Sequence, residues 1–178
     1  MKLRTLWVGL ASLILAFSFS VNAMASVAGT EKLEKQVRHE LNMLPYVNAF
    51  DYMAFTVDDN GNVTLTGEVT NPVLKSDAGN VVKRVEGVEH VDNQIRVLPV
   101  SFIDNGLRLR LYRTIYGYPA LEKYSLGVIQ PIRIIVDNGH VTLMGVVDSQ
   151  TDKNLAGIRA SSVPGTFSVD NELTIGRS

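Results

Sequence analysis

The sequence predicts an α+β fold made of two tandem αββαβ units, each with a three-stranded mixed sheet and two helices on one face. The first observation is a repeat, because residues 59–69 are matched by residues 137–147, 78 positions later. The second is that an Ala-Gly pair at residues 78–79 recurs at the same offset, at residues 156–157. The third is that apolar residues change from helical spacing to strand alternation in the same order in both copies. Two copies of one small domain explain all three observations.

The first copy opens with a predicted amphipathic helix. Leu33, Val37 and Leu41 recur at helical spacing and give one apolar stripe. Thr30 is a suitable N-cap, and Pro45 marks a point beyond which the helix cannot continue. We therefore expect a helix that begins at Thr30 and packs its stripe against a sheet.

A hairpin, a second helix and a final strand are predicted next. Gly61 follows Asn60 in a turn between two alternating segments, and glycine supplies the positive φ that a tight turn requires. Asn71 and Pro72 fit the N-cap and first position of a helix, and Gly87 fits its end. The final strand is predicted from four alternating residues, Val91, Asn93, Ile95 and Val97.

The second copy repeats this order of elements. Ser149, with Asp152 three residues later, resembles a capping box at the start of its second helix. The short, apolar connection between the copies favours packed neighbours over a flexible tether. The predicted elements are a helix at 104–116, strands at 132–136 and 141–147, a helix at 149–162 and a strand at 167–175. The predicted organisation is a signal peptide at 1–25, a first domain at 30–98 and a second domain at 104–176.

The N-terminal segment has the pattern of a secretory signal. Lys2 and Arg4 precede an apolar run, and small residues around Ala23 and Ala25 suit a signal peptidase. The run is short for a bilayer and contains serines, which favours cleavage over a permanent membrane anchor. The sequence contains no cysteine, so no residue is available for lipid modification or for a disulfide. We expect a periplasmic protein that is not a lipoprotein.

Composition and motifs argue against several classes of function. The net charge is −1, which does not suggest a nucleic-acid partner. The segment 58–62 superficially resembles a calcium loop, but its glycine comes too early for an EF-hand, so a turn is favoured. His39, His90 and His140 stand alone, without a second ligand at metal spacing. We expect no cofactor, no metal site and no catalytic residues, and hence no enzyme.

The chain resembles the BON domain family. The resemblance rests on the order of elements, on the Asn-Gly-x-Val-x-Leu-x-Gly-x-Val hairpin at 60–69 and its counterpart at 138–147, on the Ala-Gly pair in each second helix, and on a closing Val-x-Gly-x-x-x-Val followed by Asn. It implies a non-enzymatic envelope protein of the osmotically inducible type. It also implies a module that binds phospholipid surfaces or envelope partners.

The two copies differ most in their first helices. In the second copy, Leu107, Leu111 and Ile115 form the expected core stripe. The opposite side is predicted to be apolar and aromatic and to be flanked by arginines, whereas the first copy is polar there. Tyrosine beside arginine suits a lipid headgroup layer. The predicted lipid-binding residues are Arg108, Leu109, Tyr112, Arg113 and Tyr116, with Tyr118, Lys123 and Tyr124 extending the patch.

The sequence therefore predicts a protein whose second domain binds anionic phospholipid and contributes to envelope integrity or osmotic stress tolerance. The alternative is a protein-interaction or assembly module of the envelope, with weak homo-oligomerisation left open. A further alternative concerns the same helix face, which either meets lipid or packs against the first domain. Exposure of that face decides between them.

Overall fold

The computed structural model describes residues 18–127 and 129–176, with side chains described from residue 29 onward. Two α+β units follow each other along the chain, as the repeat predicts. The first unit contains α1 (Ser18–Asn42), β1 (Tyr52–Val57), β2 (Asn62–Val69), α2 (Pro72–Val82), β3 (His90–Asn93) and β4 (Arg96–Val97). The second contains α3 (Phe102–Tyr116), a 3-10 turn (Glu122–Ser125), β5 (Ile132–Asp137), β6 (His140–Val147), α4 (Gln150–Ser161), β7 (Ser168–Asn171) and β8 (Thr174–Ile175).

Both sheets are mixed. In the first unit β1 pairs antiparallel with β2, and β3 and β4 pair parallel with the other edge of β2. In the second unit β5, β6, β7 and β8 repeat these pairings. The parallel pairs confirm the predicted connection through a helix, because a parallel neighbour needs a crossover rather than a hairpin.

The final strand of each unit is interrupted, which differs from the single strand that alternation predicts. The interruption follows Asn93 and Asn171, whose side-chain amides donate to the backbone carbonyl oxygens of Lys75 and Lys153 at 2.7 Å in both copies. Each asparagine also accepts a backbone N–H two residues on, so the strand bends around it. The repeated asparagine therefore fastens the last strand to the preceding helix.

The glycine of each repeated Ala-Gly pair makes room for that asparagine. A Cβ atom on Gly79 would lie 2.8 Å from the amide nitrogen of Asn93, and one on Gly157 would lie 2.7 Å from that of Asn171. Such contacts are too short for any larger residue. The Gly and Asn positions are thus one structural unit, which explains why both recur at the same offset.

Both helices of each unit pack on the same face of their sheet. In the first unit, Val37 of α1 and Ala78 of α2 share a buried cluster with Val63 and Leu65, which alternate along β2. In the second unit, Leu107, Leu111 and Ile115 are fully buried with the matching residues of β6 and α4. The predicted core stripes are confirmed.

The start of the first helix differs from the prediction. α1 begins at Ser18 and continues through Thr30, so Thr30 is not its N-cap. Residues 23–29 contain alanines and a methionine, which favour a helix, and no proline interrupts them. Of the predicted signal peptide, residues 1–17 lie outside the described residues. No helix in the described part of the chain is long and apolar enough to cross a membrane.

The two hairpins differ by one residue. In the second unit Asp137 pairs directly with His140 across the two-residue turn Asn138-Gly139, and both turn residues have positive φ. In the first unit five residues separate the paired Val57 and Val63, whereas four separate the matching Val136 and Val141. Phe55 therefore occupies the position of Ile134, because each lies opposite the matching leucine of the next strand.

The two units contact each other through segment 48–51 and through an ion pair. The backbone N–H of Ile134 donates to the carbonyl oxygen of Ala49 at 2.8 Å, and Arg133 donates to the carbonyl oxygen of Asn48 at the same distance. Arg96 of the first unit pairs with Asp137 of the second at 2.6 Å. These contacts agree with the packed arrangement that the short connection favours.

Candidate functional site

Helix α3 carries all five predicted lipid-binding residues, and it separates them into two groups. Leu109 and Arg113 are exposed. Arg108 and Tyr116 are buried, with exposed fractions of 3% and 4%, and Tyr112 is partly buried. The predicted outward face is therefore wrong for Arg108 and Tyr116 and only half right for Tyr112.

Arg108 reaches from α3 across edge strand β5. Its guanidinium donates to the backbone carbonyl oxygen of Val136 at 2.5 Å and to the side chain of Asn105 at 2.6 Å. Burial lowers the pKa of Arg108, and this effect outweighs the nearby carboxylates of Asp104, Asp51 and Asp137, which act to raise it. Among the described residues, its buried Nε has no hydrogen-bond partner. This arginine is built into the protein and is closed to a lipid phosphate.

Tyr112 and Tyr116 lie on the same side of α3 as Arg108 and also cover the edge of β5. The hydroxyl of Tyr116 donates to the backbone carbonyl oxygen of Ile132 at 2.6 Å, and burial raises the pKa of this tyrosine well above its ordinary value. The Tyr112 ring lies 4.7 Å from the Tyr116 ring and meets Phe50 of the first unit edge-on at 6.1 Å. The aromatic side of α3 therefore packs against β5 and against segment 48–51.

The proposed extension of the patch is also structural. Tyr124 is buried, and its hydroxyl donates to Asp152 at 2.8 Å. Lys123 pairs with Asp148 at 2.8 Å and with Asp152 at 3.0 Å. These contacts tie the 3-10 turn to the start of α4, where Ser149 also caps the helix as predicted. Tyr118 lies beneath the guanidinium of Arg159.

The face of α3 that is open lies roughly a quarter of a turn from the predicted one. It spans about a third of the helix circumference and combines apolar with basic residues. Phe102 is 92% exposed at its N-terminal end. We call it the α3 outer face, and its exposed residues are Phe102, Ile103, Leu109, Arg110 and Arg113.

The N-terminal end of the α3 outer face is rigidly attached to the second hairpin. The carboxylate of Asp104 accepts the backbone N–H groups of Asn138 and Gly139 at 3.0 Å and 2.9 Å. The exposed ring of Phe167 lies over Gly139. Phe102 and Phe167 are thus held at the same end of the second unit. Sequence reasoning missed both residues, although each follows a predicted loop and has no role in the core stripes.

No candidate for metal binding emerges from the described residues, since no three His, Cys, Asp or Glu side chains come together there. His140 contacts the hydroxyl of Ser168 at 2.8 Å, and in the described ranges neither side chain is hydrogen-bonded to a carboxylate. A groove of about 520 Å³ between α1 and α2 is lined mainly by charged side chains. A membrane-facing or partner-facing surface is the class of site that this geometry supports best.

Two αββαβ units of this kind define a class of tandem α+β modules, and comparison with known proteins gives the family. The BON domain matches residues 29–99 and 121–177, so the chain belongs to the BON domain family.

The chain is similar to the outer membrane lipoprotein DolP of Haemophilus influenzae, at 31% identity over 128 residues. The match spans 69% of this chain and 59% of that relative's length. Two solved structures of CdsD, a structural protein of the type III secretion system of Chlamydia trachomatis, share 14% and 13% identity with TM-scores of 0.30. They cover 80% and 83% of this chain and 96% and 93% of the CdsD chains. Superposition this poor carries no functional argument.

Proposed function

We propose that this protein binds anionic phospholipid surfaces in the cell envelope through the α3 outer face of its second BON domain, without catalysing a reaction. The observation that carries the proposal is that Phe102, Ile103 and Leu109 are exposed on the same side of α3 as Arg110 and Arg113. An apolar strip bordered by arginines is typical of a helix that lies in the membrane interface. Of the five residues that the sequence nominates, Leu109 and Arg113 remain in this surface.

The arrangement separates two kinds of contact. Phe102 and Ile103 stand at one end of the helix, where they can enter the acyl boundary without unfolding any core residue. Arg113 lies further along the same face, and guanidinium groups pair well with phosphate oxygens. Arg110 donates to the carbonyl oxygen of Pro164 at 3.2 Å, so its guanidinium lies beside the loop that follows α4.

The expected affinity is modest. Each basic residue near an anionic surface contributes about 1 kcal/mol. Burying part of two or three apolar side chains adds about 25 cal/mol for each Å² removed from water. Binding should therefore be reversible and sensitive to salt, and stable residence at the membrane should require many molecules or a second partner.

Export and stress tolerance belong to the same proposal. The relative DolP is an outer membrane lipoprotein, whereas this sequence contains no cysteine that could be acylated. We propose a periplasmic protein whose signal peptide is removed and whose folded surface, without a lipid anchor, makes the membrane contact. A reversible envelope contact of this kind would support membrane integrity under osmotic stress.

Vesicle sedimentation tests the proposal. The mature protein is mixed with vesicles of phosphatidylcholine, with or without phosphatidylglycerol, and compared with an Arg110→Glu, Arg113→Glu double variant. The matched control is Lys83→Glu, Arg84→Glu, which makes the same charge change at exposed positions of the first domain. Wild type and control should pellet with the anionic vesicles, and the α3 variant should remain in the supernatant.

A second pair of variants examines the apolar part of the face. Phe102→Ser with Ile103→Ser should weaken pelleting, whereas Ile158→Ser, on the exposed side of α4, should not. Equal pelleting by all variants, or no pelleting by wild type at low salt, would contradict the proposal. A stable dimer in light scattering that persists without lipid would favour an assembly module instead.

A further inference from the structure

The outward edge of β5 makes hydrogen bonds within the chain at three residues. Its outward-pointing backbone groups belong to Ile132, Ile134 and Val136. Tyr116 donates to the carbonyl oxygen of Ile132, and Arg108 donates to that of Val136. The N–H of Ile134 lies between them and donates to the carbonyl oxygen of Ala49. The turn at 48–51 and two long side chains thus cover this edge against other strands.

The equivalent edge of β1 is open. The N–H of Asp58 donates to the carbonyl oxygen of Asn62 across the hairpin, so the alternation of an antiparallel pair leaves the backbone groups of Val57 and Phe55 pointing outward. Nothing in the described ranges, 18–127 and 129–176, forms a hydrogen bond with these groups. The two copies therefore differ in edge protection, although they share the same sheet.

The open edge of β1 lies in a groove between the two domains. The groove has a volume of about 340 Å³, which suits a single extended segment better than a second folded domain. One wall is β1 with Arg38 and Asn42 of α1. The other is the helix-free face of the second sheet, with Met144 and Val146, and Glu172 also lines the groove. Val146 is 49% exposed, and methionine adapts its shape to different side chains.

The helix residue beside the strand edge is basic in the first domain and aromatic in the second. Arg38 directly follows the core residue Val37, and Tyr112 directly follows the core residue Leu111. Arg38 is therefore the counterpart of Tyr112, which in the second domain contacts Phe50. The guanidinium of Arg38 lies 5.1 Å from the Phe55 ring and is exposed beside the edge. An arginine in this position favours a carboxylate where the other copy favours an aromatic ring.

We propose that the groove between the domains binds an extended segment of a partner protein, which adds as a strand to the free edge of β1. The segment alternates apolar side chains, which contact Met144 and Val146, with at least one acidic side chain, which pairs with Arg38. In the second copy, the matching edge of β5 already makes a backbone hydrogen bond to the turn at 48–51. Strand addition gains affinity from backbone hydrogen bonds and specificity from alternate side chains. This inference is independent of lipid binding by α3.

The test uses a fluorescent peptide of about eight residues in which valine and threonine alternate around one central glutamate. Binding to the mature protein is measured by fluorescence anisotropy, and the contact surface by changes in the amide NMR signals. Two further peptides carry a central lysine or N-methyl groups on alternate amides. The protein variants are Val146→Lys, which fills the groove, and Ile158→Lys as a matched exposed control on α4.

The glutamate peptide should bind and shift the amide signals of Phe55 and Val57. Val146→Lys should weaken it about tenfold or more, a loss of about 1.4 kcal/mol, and Ile158→Lys should not. N-methylation should abolish binding, and Arg38→Glu should reverse the preference between glutamate and lysine peptides.

Three results would overturn the proposal. These are an absence of binding by the glutamate peptide, binding that Val146→Lys leaves unchanged, and amide shifts confined to other strands. A homodimer that covers β1 and excludes the peptide would assign the edge to a second copy and would also overturn it. The lipid variants at Arg110 and Arg113 should bind the peptide normally, which separates this test from that of the membrane surface.

Discussion

The first helices of the two domains occupy the same place on the same fold, yet they face different neighbours. In α3, the side carrying Arg108, Tyr112 and Tyr116 covers edge strand β5 and receives Phe50 from the first domain. In α1, the corresponding side carries Arg38 and Asn42 and borders an open groove. The aromatic side of α3 is therefore an internal surface that belongs to the packing of the two domains. A second apolar arc on a helix therefore indicates a second contact surface. The sequence does not say whether that surface contacts lipid, a partner or another part of the same chain.

The largest effect is expected from Arg108. Arg108→Ala removes two hydrogen bonds from a buried guanidinium and leaves the carbonyl oxygen of Val136 without its partner, so the free energy of unfolding should fall by about 3 kcal/mol. Urea denaturation measures the loss. Arg113→Ala, on the exposed side of the same helix, should change stability by less than about 0.5 kcal/mol. Similar losses of stability in both variants would mean that the two sides of α3 do not differ in burial.

The second-largest loss of stability is expected at the asparagine that both copies share. Asn93→Ala and Asn171→Ala each remove a 2.7 Å bond between the last strand and a helix carbonyl group, and each should cost about 2 kcal/mol. Thermal or urea unfolding of both variants provides the measurement. A large loss in one copy with none in the other would show that the repeated Asn-Gly unit is not equally structural in both.

Tyr116→Phe should cost about 1 kcal/mol, because it removes one hydrogen bond and keeps the ring. Burial raises the pKa of Tyr116, so the folded state holds its proton at a pH where the unfolded state releases it. Stability should therefore fall as the pH rises above about 10, and Tyr116→Phe should reduce this fall. Binding to anionic vesicles at neutral pH should not change, and weaker binding with unchanged stability would return Tyr116 to the lipid surface.

The smallest effect is expected from the ion pair between the domains. Asp137→Asn removes the 2.6 Å contact with Arg96, but both side chains are partly exposed, so the loss should stay below about 1 kcal/mol. The loss should shrink further in high salt, because solvent ions screen surface charges. Unfolding in low and high salt measures it. A larger, salt-independent loss would mean that this pair, and not segment 48–51, holds the domains together.

Much of the fold could be predicted because it depends on local signals that occur twice. The core stripes, the hairpins, the Asn71 and Ser149 caps and the Ala-Gly pairs all follow from spacing and turn chemistry. The bend at Asn93 could not be predicted from alternation, because its cause is a bond to Lys75, which is distant in sequence. The predicted start of α1 at Thr30 was wrong, because Thr30 is a suitable cap only if the helix does not begin earlier.

The candidate site was predicted less well, for a physical reason. The helical wheel was interpreted as placing Tyr112 and Tyr116 opposite the core with Arg108 at their flank, but it contains no information about an edge strand beside the helix or about a segment from the other domain. Leu109 and Arg113 were correctly expected to be exposed, whereas Phe102 and Phe167 were missed because they follow loops and belong to no stripe. Whether the α3 outer face binds lipid remains a proposal.

The most direct test of the central claim is quenching of a single tryptophan by brominated phospholipids. The only tryptophan in the sequence is Trp7, in the predicted signal peptide, so a mature protein offers no competing signal. Ile103→Trp places the probe on the α3 outer face, and Ile158→Trp, at a position that is 64% exposed on α4, is the matched control. With vesicles containing brominated phosphatidylglycerol, Ile103→Trp should be quenched and shifted to shorter wavelength, and Ile158→Trp should be unaffected. Quenching of Ile158→Trp alone, or of neither variant, would contradict the account.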